Sequence, residues 1–78
     1  MEQFRIWITF ENASRHLDTD WCNQDTMIRS LQRLTYGPAA MMGIISEIRV
    51  VDMLDSIVFL VVDGKQVFPS QLEAKKVV

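Results

Sequence analysis

Four side chains able to bind a metal or move a proton stand at alternate positions in the stretch HLDTDWC: His16, Asp18, Asp20 and Cys22. On an extended strand alternate side chains project to one side, so the four would share a face. Imidazole, carboxylate and thiolate are donors that zinc takes, converging on the ion at ~2.0–2.3 Å. Residues 16–22 are therefore the candidate metal or small-molecule site, with Trp21 as a further lining group. Spacing weighs against it. Alternate residues on a strand lie ~7 Å apart, so four in a line cannot all meet one tetrahedral ion. Two of them with a ligand from elsewhere could. The favoured reading is a solvated edge strand, with no metal or cofactor assigned.

His16 and Cys22 also fail as a catalytic pair. A nucleophilic thiol needs a base within hydrogen-bond reach and a lowered pKa. Side chains six positions apart on one strand do not meet, and a lone cysteine is commonly a small buried apolar group. Asp18-x-Asp20 lacks the glycine and terminal glutamate of a calcium loop. The three glycines are scattered and form no phosphate-binding loop. The expectation is a protein that is not an enzyme.

The elements around these residues follow from periodicity. FRIWITFE alternates Phe4, Ile6, Ile8 and Phe10 against Arg5, Trp7, Thr9 and Glu11, the period of a strand with one buried face. Residues 12–23 are polar and turn-rich, which fits a loop, but a weaker alternation favours an edge strand with Leu17, Thr19 and Trp21 facing inward. Met27, Ile28, Leu31 and Leu34 recur at helical spacing opposite Arg29, Gln32 and Arg33, which predicts a helix over 24–36. Asn23 or Asp25 can cap its start, and Gly37-Pro38 stops it. PAAMMG predicts a short helical turn. IISEIRVVD reads as a strand over 44–52, SIVFLVV as the next, and KQVF as the last. Asp63-Gly64 predicts a tight hairpin, because a type I′ turn needs positive φ at both positions. Ser70 and Glu73 have capping-box spacing, which predicts a terminal helical turn over 70–76. The fold class is α+β, in the order β-(β)-α-β-β-β, with one main α-helix on one face of an antiparallel sheet of three to five strands. Residues 1–78 are expected to form a single small domain.

Composition narrows the partners. Eight basic and ten acidic residues give a net charge of −2, and no basic stripe appears, so nucleic acid is not expected. No run approaches the ~18 apolar residues of a membrane span. MEQFRIWITF lacks the pattern of a secretory leader, and Cys22 alone supports no disulfide framework. The expected location is cytoplasmic.

The apolar content is high for so short a chain, at 49% of 78 residues, and such a chain buries only a little over ~60% of its unfolded surface. Ile57 to Val62 are all apolar, so that strand is greasy on both faces. With a two-residue turn, Leu60 would pair with Val67 and Phe59 with Phe68, placing Val58, Leu60, Val62 and Val67 on one face. Trp7, Ile45 and Val51 would enlarge whichever patch the helix leaves bare. Large apolar patches usually mark binding surfaces. The expected function is a non-catalytic protein–protein interaction module, with Trp7, Val58, Leu60, Val62 and Val67 at the interface. The partner would be a second copy in a homodimer, or a larger host or cellular protein that it inhibits or regulates. Size and missing catalytic signals suit a phage- or mobile-element-encoded regulator. The alternative is a metal or small-molecule binder built on 16–22.

Overall fold

The alternating residues of FRIWITF bury every second side chain, and this sets the layering. In the computed structural model, which describes residues 2–69, Phe4, Ile6 and Ile8 are buried while Arg5, Trp7 and Thr9 are half-buried on the other side. The strands are β1 (Phe4–Phe10), β2 (Arg15–Cys22), β3 (Ile45–Val51), β4 (Ile57–Val62) and β5 (Lys65–Phe68), with helices α1 (Gln24–Thr35) and α2 (Pro38–Met41) between β2 and β3. The sheet order is β2-β1-β3-β4-β5 and every pairing is antiparallel. The fold is α+β with five strands and one main helix, at the upper end of the expected strand number.

Helix α1 forms where the sequence places its signals. The Asn23 side chain accepts from the Thr26 amide at 2.9 Å, Asp25 lies in the first turn and Arg33 in the last. These charges oppose the helix dipole at both ends. Met27 and Leu34 are buried, and Ile28 and Leu31 pack beside them on the core. At Gly37 an added Cβ would sit 2.6 Å from the Arg33 carbonyl oxygen, so glycine is required for close approach. Asp63 and Gly64 both have positive φ, at 52° and 78°, as the hairpin turn demands. The expected turn over 70–76 lies outside the described residues.

One core fills the space between α1 and the sheet. Ile6, Met27, Ile48 and Val50 are its most enclosed large side chains, with Phe4, Ile8, Leu34, Ile45 and Val61 around them. Helix α1 lies over β1, β2 and β3. It does not extend across β5.

Register departs from simple alternation at several places, and each departure re-aims a side chain. Thr9 pairs with Glu47 but Phe10 pairs with Ile45, which makes Ser46 an extra residue. Its hydroxyl donates to the Thr9 carbonyl at 3.0 Å. This bulge turns Ile45 into the core, where it is 5% exposed, and corrects its expected place in the bare patch. Val51 is 4% exposed and adds nothing to that patch either. Leu60 pairs with Phe68, where Val67 was expected, because Val67 is an extra residue in β5.

Candidate protein-binding face

The face turned away from α1 is built in cross-strand rows. One row runs Leu17, Trp7, Arg49, Leu60, Phe68 across all five strands. The next runs Arg15, Thr9, Glu47, Val62, Lys65. The first rung is apolar except for Arg49 at its centre, and the second is polar except for Val62. Directly opposed side chains in adjacent strands touch, so each rung is a continuous surface.

Arginines stack on both tryptophans of this face. The Arg15 guanidinium lies 5.0 Å from the Trp7 ring centroid, and that of Arg5 lies 4.2 Å from Trp21. Arg5 also donates to Asp20 at 2.9 Å. Cation–π stacking holds each indole flat and keeps one of its surfaces covered. On the central strand Arg49 and Glu47 form an ion pair at 3.3 Å, and the Thr9 hydroxyl donates to Glu47 at 3.4 Å. The Nε of Arg49 is buried, with no hydrogen-bond partner among the described residues.

The expected interface residues divide. Trp7, Leu60 and Val62 lie in the two rows. Val58 is the extra residue of a β3–β4 bulge and packs against the core cluster. Val67 stands out at 48% exposed, and Phe68, at 46%, takes the place opposite Leu60. Leu17 and Trp21, expected to face inward, are exposed on this face. The reason is the pairing of Leu17 with Trp7, together with two extra residues in β2 between Leu17 and Cys22. Those insertions carried no signal in the sequence.

The same insertions part Asp20 from the other three metal-ligand candidates, which stay on the helix side of the sheet. His16 packs edge-on against Phe10, with ring centroids 5.2 Å apart. Asp18 accepts from Arg33 of α1 at 3.1 Å, whereas Asp20 pairs with Arg5 on the far side of the sheet. The Cys22 thiol donates to the Phe4 carbonyl at 3.4 Å and packs on the core. The four therefore do not share a face. Among the described residues no group of three histidine, cysteine or acidic side chains is placed to hold a metal ion. The Trp21 N–H and Arg5 hold the Asp20 carboxyl below its ordinary range, and burial pushes the Cys22 thiol above its own. A thiol held protonated is a poor nucleophile.

A hollow of about 430 Å³ lies between α1 and the β4–β5 hairpin. Ile28, Leu31, Phe59 and Val61 line it, with Tyr36 and Lys65 at its margins. It occupies the helix side of the sheet that α1 leaves open. No helix among the described residues is long and apolar enough to cross a membrane. No protein-family profile, curated protein or solved structure matches the chain.

Proposed function

We propose that the protein is a non-catalytic interaction module that works as a homodimer, pairing through the sheet face that α1 does not cover. The observation that carries this reading is the row Leu17–Trp7–Arg49–Leu60–Phe68, whose four apolar side chains flank Arg49 across the full width of the sheet. A second copy is the favoured occupant because apolar side chains flank β3 on both sides of this face. Charge weakens the pairing, since an axis along β3 lays Arg49 over Arg49 and Glu47 over Glu47. Arg5, Arg15, Arg49 and Lys65 stand there with Asp20 and Glu47. A two-fold axis along β3 would set Trp7 and Leu17 of one copy over Leu60 and Phe68 of the other. Trp7, held by the stacked Arg15, is the anchor.

The gain is limited by the Glu47–Arg49 pair, which must be buried as a pair. Burying ~400 Å² of apolar surface per copy, on two copies, gives on the order of 20 kcal/mol gross at ~25 cal/mol/Å². Association costs about 4–15 kcal/mol and the buried charges take a further part, so the dimer is a modest one.

Sedimentation and Trp7 fluorescence, read in a Trp21→Phe variant, test the proposal together. On dilution the mass falls toward 9.0 kDa and Trp7 emission shifts to the red. Leu60→Glu places a charge in the apolar row, leaves the fold intact and gives red-shifted Trp7 emission at every concentration. Trp7 emission that is indifferent to both dilution and Leu60→Glu would sink the reading.

A further inference from the structure

Met53 and Leu54 stand on the β3–β4 turn at 59% and 86% exposed. The turn that carries them is rigid. Asp52 Oδ1 accepts from the Leu54 amide at 2.9 Å and the Ser56 amide at 3.0 Å, and the Asp52 carbonyl accepts from the Asp55 amide at 3.0 Å. Asp55 holds a left-handed φ of 62°, and the Asp52 amide closes the loop onto the Ser56 carbonyl at 3.0 Å. Two large apolar side chains are thus fixed in water, where nothing local rewards them. Acidic groups surround them: Asp52, Asp55 and Glu2, which lines the same hollow as Met53 and Leu54.

The cleft between α1 and the β4–β5 hairpin has the opposite character. Ile28, Leu31, Phe59 and Val61 supply its apolar walls, Gln32 is among the uncharged polar groups that share the lining, and the one charged residue there is Lys65. Its volume falls within the ~300–1,000 Å³ of ordinary binding pockets. The knob cannot enter the cleft of its own chain. The two turns lie at opposite ends of β4, whose six residues span roughly 20 Å at ~3.3 Å each.

We infer that the Met53–Leu54 turn of one copy docks into the α1/β4–β5 cleft of another, with the acidic collar meeting Lys65. Opposite charge selects a second copy of this chain as the occupant. The contact is heterologous, since different patches meet, and so it extends head to tail into rings or chains. It is independent of the sheet-face pairing. A prefixed turn loses little freedom on docking, which favours the contact.

The test uses the full chain in a Leu60→Glu background, where face pairing does not contribute. That protein is expected to self-associate in sedimentation as its concentration rises. Met53→Ser/Leu54→Ser removes the knob, and Gln32→Glu/Lys65→Glu makes the cleft acidic; both pairs are at exposed positions, and circular dichroism verifies folding. Each double variant alone is expected to associate at least ~tenfold more weakly than the parent, as loss of anchor residues does. Mixed together they are expected to form a one-to-one pair, because one keeps the cleft and the other keeps the knob. A Leu60→Glu parent that stays at the mass of one chain, double variants that associate like the parent, or a mixture that does not pair each overturn the inference. Failure of the sheet-face proposal reads out separately, in Trp7 emission.

Discussion

Asp20 and Cys22 sit two residues apart on one strand, yet their environments push their pKa values in opposite directions. Asp20 is held low by the Trp21 N–H and by Arg5, so the folded state favours its charged form. The stabilisation is present above the unfolded carboxylate pKa and is lost as pH falls through the lowered folded value. Because the Asp20 side chain is 65% exposed, the effect is small, and added salt diminishes it. Asp20→Asn should flatten the acid limb of a urea stability profile measured against pH. Cys22 is held high by burial, so its contribution is present below the unfolded thiol pKa and is lost as pH rises through the folded one. Stability of the wild type should therefore decline above about pH 9. Cys22→Ala should lessen that decline, while a thiol reagent at neutral pH should react slowly until denaturant is added.

At the scale of elements, helix α1, the Asp63-Gly64 hairpin and the alternation of β1 were legible in the sequence, because each rests on local chemistry. Met27, Ile28, Leu31 and Leu34 face the core as their spacing predicts, and Asn23 caps the helix. Two substitutions test this. Asn23→Ala should cost about 1 kcal/mol through the amide it leaves unpaired. Gly37→Ala should cost about 1–3 kcal/mol, because its Cβ would press on the Arg33 carbonyl. Chemical denaturation midpoints check both. What could not be read was the register of β2 and β5. A one-residue insertion reverses every later side chain, and nothing in RHLDTDWC or KQVF marks where the extra residues fall. Hence Asp20 leaves the face that His16, Asp18 and Cys22 keep, while Leu17, ahead of both insertions, is turned outward by the β1–β2 turn that sets it opposite Trp7. Ile45 escaped for the same reason, since Ser46 looks like any other strand residue until its hydroxyl is seen bonded to Thr9.

Across the whole molecule the margin is thin. A single core of this size supplies roughly 3–5 kcal/mol of net stability, and Ile6 is fully enclosed within it, at 0% exposed. Truncating such a side chain costs ~2–5 kcal/mol. Ile6→Ala should therefore leave the chain largely unfolded at 37 °C, as thermal melting followed by circular dichroism would report. The proposed sheet-face pairing would add to this margin, and its mark would be a melting temperature that rises with protein concentration.

The two insertions in β2 have a consequence for growth of the sheet itself. Among the described residues β2 is the outermost strand beside β1, and no strand of theirs pairs with its far-side amides and carbonyls. Within its eight residues the rhythm of those groups is interrupted twice, so an incoming strand falls out of step before it can zip along the rim. Backbone-to-backbone ribbon extension, the usual hazard of a bare border, is obstructed there by geometry.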